Sequence, residues 1–178
     1  MTALPAELEE LRPLRRSEYE QMIDQGLFDG ERVELLDGFV VRMTPQKSPH
    51  SSVVQSLNLI LVSTFAISGR ASVRCQLPLA LSDVSEPEPD FAVVPTGSYK
   101  DAQPSRAYFL VEVADSSLPK DRRKASLYAR AGIPEYWLIE LHESADRSVQ
   151  RAGRAMSTRA LHRTGADSSW RRSRFRSW

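Results

Sequence analysis

The chain has 178 residues, 41% hydrophobic and 26% charged, with a formal net charge of +1. That length suits one domain with a real core and is short for two, and no apolar run approaches the ~18 residues of a membrane span. The mixed-charge start MTALPAELEELRPLRR lacks the apolar centre of a secretory signal, so the cytoplasm is the expected location, and a single cysteine, Cys75, excludes an internal disulfide or a zinc centre built on several thiolates.

Residues 1–13 read as a lead-in. SEYEQMIDQG follows, with Ser17 as the expected N-cap, Glu20 at the reciprocal capping-box spacing and Gly26 as a stop, which predicts a short helix. ERVELLDGFVVRM predicts two strands joined at Asp37-Gly38, a dipeptide suited to a type I′ turn. In SPHSSVVQSLNLILVSTFAISG the residues Val53, Val54, Leu57, Ile60, Leu61 and Phe65 recur at three and four, the period of a long core helix closed by Gly69. SVRCQLPLAL is expected to be extended, and Cys75 reads as a small core residue within it. After the turn SDVSEPEP, DFAVVP predicts a short buried strand begun by Asp90.

YFLVEVADSS then predicts a buried strand with Glu112 at its centre, PKDRRKASLYARAG a helix ending at Gly132, and IPEYWLIEL another apolar strand. Strand, helix and strand in that order make a crossover, so at least part of the sheet is parallel. Beyond it the composition changes. Residues 1–140 carry 15 basic and 20 acidic groups, net −5, whereas residues 141–178 carry 9 arginines against Glu143, Asp146 and Asp167, net +6. This segment has no sustained period and is expected to be irregular or disordered.

Aspartate and glutamate are rarely buried unless paired or holding a metal. Asp90 and Glu112 both fall in strands of Phe, Val and Leu, and two such carboxylates on adjacent strands repel unless a cation lies between them. A hard divalent ion, Mg²⁺ or Mn²⁺, suits that donor set, because it takes one or two carboxylates and leaves its other positions to water and phosphate. The structural alternative has Asp90 capping the turn and Glu112 pairing with an arginine. On the following helix the apolar stripe is Leu127, Tyr128 and Ala131, and stepping back by three or four puts Lys124 on the same face. An inward lysine calls for a negative partner, and its four-carbon stem lets it reach Glu112. Lys120, beside Pro119, is the rival; Arg122, Arg123 and Arg130 fall on the outer face, where they are solvated or hold phosphates. Gln76, on the strand before the site, is a candidate to orient a water, and Tyr136 and Trp137 read as core, with stacking on nucleic acid as the alternative.

EPDFAVV, YFLVEVADSS and DRRKASLYARAGIPEYWLIE together resemble the bacterial family of putative restriction endonucleases, a branch of the PD-(D/E)XK or restriction-endonuclease-like superfamily. SEYEQMID, RVELLDGFVVRMTP and SPHSSVVQSLNLIL are similar to its N-terminal half, so the resemblance spans roughly residues 13–140. It implies an α/β fold, a mixed sheet flanked by helices, and Mg²⁺-dependent cleavage of nucleic acid, with DNA the expected substrate. The superfamily signature is Pro-Asp followed by an acidic residue, any residue and lysine. Here Pro89-Asp90 and Glu112-Val113 are present but Ala114 stands in the lysine position; the resemblance implies that the lysine has moved to the helix, where Lys124 is followed by Tyr128.

By the same resemblance Glu34 matches an N-terminal acidic residue that adds a metal-site carboxylate, with a solvent-facing hairpin residue as the alternative. His50 matches a histidine at the start of the long helix and is an accessory candidate. Asp90 and Glu112 are then the expected metal carboxylates, with Lys124 positioning or deprotonating water. Cleavage of two strands makes a homodimer plausible on mechanism. The family has Asp where Glu140 stands, and more alternating strands where the arginine-rich segment lies. A shifted reading frame or a basic DNA-binding tail would each account for that segment; an inactive nuclease-fold module binding DNA or a protein, or a frame-disrupted inactive product, are the alternative functions.

Overall fold

The structure, a computed structural model, describes residues 11–114, 118–141, 156–163 and 170–174, with side chains described over 11–114 and 123–141. The helices are α1 (Arg16–Asp24), α2 (Ser48–Leu61) and α3 (Leu118–Arg130). The strands are β1 (Val33–Leu36), β2 (Phe39–Arg42), β3 (Ser72–Cys75), β4 (Phe91–Val94), β5 (Phe109–Ala114), β6 (Glu135–Leu141), β7 (Met156–Arg163) and β8 (Trp170–Arg174). β1 and β2 form a separate hairpin, and the other six strands form one sheet in sequence order. Only the β5–β6 pair within it is parallel, as a strand-helix-strand crossover requires.

The crossover strands are buried on both faces. Leu110 and Ala114 of β5 join Ala92, Val94, Tyr128 and Tyr136 in a core under α3. Phe109, Val111 and Val113 point the other way and pack with Phe91, Val93, Val54 and Leu61 under α2. Period-2 alternation therefore decides which side of the sheet each β5 residue serves, and Glu112 shares the α3 side. Trp137 stacks on Phe109 with ring centroids 5.2 Å apart, while Tyr136 is fully buried, so both serve the core as expected.

Several boundaries differ from expectation. α1 begins at Arg16, and its start is closed by Glu18, whose carboxylate accepts the Arg15 N–H at 2.8 Å. Glu20, expected in the cap, instead faces Arg16 one turn back. α2 runs on into a π turn at Val62–Ala66. Ile60, expected inward, precedes that turn and is 59% exposed, because Val54 and Leu61 set the buried line of α2 and Ile60 lies about 100° round the helix from Leu61. The hairpin turn has Asp37 at φ 51° and Gly38 at φ 83°, as a type I′ turn demands. Gly38 is further required by space: a Cβ there would lie 2.4 Å from the Pro13 side chain.

The irregular structure expected after residue 140 is corrected at two places. β7 pairs antiparallel with β6 from Glu135↔His162 to Leu141↔Met156, and β8 continues the sheet beyond it. The free edge of β6 offers a row of backbone donors and acceptors, and pairing with them needs no apolar alternation in the partner. The remainder of 142–178 lies outside the described residues.

Candidate functional site

The hairpin is tied to the chain ahead of Asp90 by backbone bonds: Leu35 N–H to Glu86 O at 3.3 Å, Glu86 N–H to Leu35 O at 2.8 Å, and Gly38 N–H to Val84 O at 2.7 Å. Val33 and Leu35 pack on Tyr19 of α1, so Glu34, between them, is turned toward α3. It is fully buried, which removes the solvent-facing alternative. Its Oε2 accepts the Glu88 N–H at 3.1 Å and lies 2.8 Å from Lys124 Nζ.

Lys124 occupies the inward face of α3 that helical phase predicts. Its Nζ donates to Glu112 Oε1 at 2.9 Å, so a single ammonium bridges the carboxylates of β1 and β5. The same Glu112 oxygen accepts the Tyr128 hydroxyl at 2.9 Å, one turn further along α3. Sequence reading had given Tyr128 only a packing and motif role; its i+4 spacing from Lys124 was the available signal. Burial alone would push the Lys124 ammonium down, but the carboxylates of Glu112 and Glu34 outweigh it and hold its pKa above the usual lysine range. Tyr128 is raised by burial and by Glu112, so its hydroxyl keeps its proton and remains a donor.

Asp90 stands at the start of β4. The register Phe91↔Val111, continued by one residue, sets it beside Glu112. Its Oδ2 accepts the Val113 N–H at 2.8 Å and lies 3.1 Å from His50 Nε2; its Oδ1 accepts the Gln76 amide at 3.1 Å. Burial raises its pKa, but the His50 contact and the two other donors more than offset this, so Asp90 is ionised below the ordinary aspartate value. His50 is raised above the ordinary imidazole value, first by its bond to Asp90 and also by the nearby Glu112. α2 thus delivers His50 to one flank of the site while α3 delivers Lys124 to the other.

The five residues singled out from the sequence, Glu34, His50, Asp90, Glu112 and Lys124, therefore form one contiguous polar cluster between the sheet, the hairpin and two helices. Arg130, expected on a solvated or phosphate-holding face, donates to both oxygens of Asp37 at 2.6 and 2.7 Å and ties the end of α3 to the hairpin turn. Arg123 is exposed. The side chains of Lys120 and Arg122 lie outside the described residues.

The cluster holds three buried carboxylates, two of them on one lysine and the third beside His50, which can add a second positive charge. The excess is negative, and in kind the donors suit Mg²⁺ or Mn²⁺, which need only one or two carboxylates from the protein. Among the described residues no group of three or more His, Cys, Asp or Glu is placed so that it could hold a metal ion. Asp90 and Glu112 are a pair, the number of carboxylates that such an ion takes from a protein.

Among the described residues no helix is long and apolar enough to cross a membrane. No curated protein matches the chain. A solved structure similar to this fold is that of a putative nuclease belonging to DUF820 from Anabaena variabilis ATCC 29413, with a TM-score of 0.64 and 13% sequence identity over 84% of this chain and 80% of that one. At that identity the likeness speaks to the fold, which is restriction-endonuclease-like. The sequence profile of the family Uma2, described as "Putative restriction endonuclease", matches residues 16–171 and so runs through β7 into β8. The chain belongs to this family of putative restriction endonucleases.

Proposed function

We propose that the protein is a Mg²⁺-dependent nuclease that hydrolyses phosphodiester bonds of DNA, with Asp90 and Glu112 as the metal carboxylates and Lys124 as the cation beside them. The observation that carries this reading is the bridge of Lys124 between Glu112 and Glu34 next to an ionised Asp90. It supports a buried, negatively charged pocket whose lysine survives although the strand position it usually occupies holds Ala114.

A bound Mg²⁺ would supply polarisation of a phosphoryl oxygen and a water of lowered pKa. The protein's own part is to hold the two carboxylates ionised and fixed. Lys124, kept protonated by two carboxylates, is suited to orient water and offset phosphate charge, and poorly suited to act as a base. His50 is proposed to keep Asp90 ionised from the α2 side. Glu34 holds Lys124 in place. Cutting both strands of a duplex would take two such sites, and a homodimer is part of the proposal.

The test is nicking of supercoiled plasmid by the full-length protein with Mg²⁺ and with chelator. Cleavage should require the ion and be lost in Asp90→Ala and Lys124→Ala. Equal cleavage by Asp90→Ala would assign the activity elsewhere, and metal-insensitive DNA binding without cleavage would favour an inactive nuclease-fold module.

A further inference from the structure

Two residues other than glycine adopt a positive φ among the described residues, Asp37 and Gln76. For Asp37 the conformation follows from the I′ turn, and aspartate tolerates it. Gln76, at φ 52°, has no such ground. It follows the last residue of β3, extends the ladder by donating its N–H to the Asp90 carbonyl at 3.1 Å, and leads into Leu77 and Pro78. Glycine or asparagine would make the same turn at less conformational cost.

What glutamine adds is reach. Its Nε2 donates to Asp90 Oδ1 at 3.1 Å, while Oδ2 is held by the Val113 N–H at 2.8 Å and lies 3.1 Å from His50. A carboxylate held at one oxygen can still rotate about its Cβ–Cγ bond. Held at both, it cannot, and the remaining accepting capacity of Oδ1 points in one direction. Backbone strain of this kind persists where the surroundings enforce it, and it collects at functional sites.

We propose that Gln76 is a positioning residue: its left-handed backbone aims the side-chain amide at Asp90 Oδ1 and fixes the plane in which Asp90 meets a divalent cation. This rests on the reading of Asp90 as a metal carboxylate. Gln76 acts through Asp90, as groups behind a metal ligand do when they set its orientation.

The test compares full-length wild type with Gln76→Gly and Gln76→Ala. Both remove the amide, but only glycine releases the strain. The glycine variant should therefore melt about 2–4 °C above the alanine variant, the reverse of the usual order of these two residues. Calorimetric titration with Mn²⁺ should show affinity reduced about 10-fold or more in both. Plasmid nicking at limiting Mg²⁺ should fall alongside, and part of it should return at saturating Mg²⁺. A residue that only shapes the turn would move the melting temperatures and leave Mn²⁺ affinity at the wild-type level; that result overturns the proposal, as does an alanine variant that melts above the glycine one. Wild type that binds Mn²⁺ without cutting DNA, with weakened binding in both variants, would sink the nuclease reading and leave the role of Gln76 standing. Wild type that binds no Mn²⁺ would sink both.

Discussion

Lys124 and Glu112 lie 12 positions apart in the chain and 2.9 Å apart in the fold, one on a helix and the other at the centre of a buried strand. The helix begins close to the end of the strand it follows, so the lysine stem can turn back over the strand and reach the carboxylate. Glu34, 2.8 Å from the same ammonium, arrives from a hairpin that belongs to neither element.

Removing that ammonium leaves two buried carboxylates with no lysine between them. Lys124→Met should cost roughly 3–5 kcal/mol in urea denaturation, the usual penalty for breaking a buried ion pair from one side. Adding Glu34→Gln should recover part of the loss, because one of the two stranded charges is gone. A double variant no more stable than the single one would mean that Lys124 does not balance Glu34.

The His50–Asp90 contact sets a pH window. His50 is raised above the ordinary imidazole value of 6.5, so its contribution is complete below pH 6.5 and fades as pH rises through the folded value. Asp90 is lowered below 3.8, so its contribution is complete above pH 3.8 and fades as pH falls through the folded value. In metal-free protein the pair therefore stabilises most between those limits. Asp90→Asn should lower stability between those limits, lessen its fall below pH 3.8 and above pH 6.5, and bring the His50 titration, followed by proton NMR, down toward 6.5. An unmoved His50 titration would contradict the pairing.

Glu86 shows the opposite linkage. It is 6% exposed, and its Oε2 lies 3.8 Å from Arg16 without a hydrogen-bond partner among the described residues. Burial, then contact with Glu20, raises its pKa from 4.5 to about 7 against the pull of Arg16. With the folded value above the unfolded one, stability is lost as pH rises from 4.5 to about 7. Glu86→Gln should raise stability above pH 7 by on the order of 2 kcal/mol and change it little near pH 4. Thermal melts across that range test this; equal gains at both ends would reject it.

Tyr128→Phe removes one donor from Glu112 and leaves Lys124 in place. A loss of about 1.5–3 kcal/mol is expected, the range for a hydrogen bond to a charged acceptor. Urea denaturation of the variant measures it, and an unchanged midpoint would show the hydroxyl to be dispensable.

The site was more legible in the sequence than the elements that surround it. A charged residue in an apolar run is an anomaly wherever the strand packs, so Asp90 and Glu112 stood out, and the i+3 and i+4 relation of Lys124 to Leu127 and Tyr128 fixed its face without knowledge of the sheet. Glu34 was ambiguous because a four-residue hairpin strand does not say which of its faces is covered; the Leu35–Glu86 backbone bonds decide that, and they depend on a segment 51 positions away. Ile60 was misplaced because it adjoins Leu61, and apolar identity alone does not say which of two neighbouring helix positions faces the core. β7 and β8 were missed because their pairing draws on the edge of β6, which a period count cannot see. Gln76 was read as a residue to orient a water, not as one that holds Asp90; a positive φ leaves no trace in the identity of a glutamine.

The backbone bonds between Leu35 and Glu86 hold more than a hairpin. Glu34 sits next to the first of these residues, and Glu88, which donates to its carboxylate, sits two beyond the second. If the hairpin opens while the sheet and α3 stay intact, Glu34 leaves Lys124 and returns to water, and the ammonium is left with Glu112 alone. The pocket would then be more positive by one charge with no residue protonated and no bond in the central sheet broken. Local opening of a small two-stranded unit is thus also a change in electrostatic state, and hydrogen exchange at the Leu35 amide would report how often the pocket changes its charge.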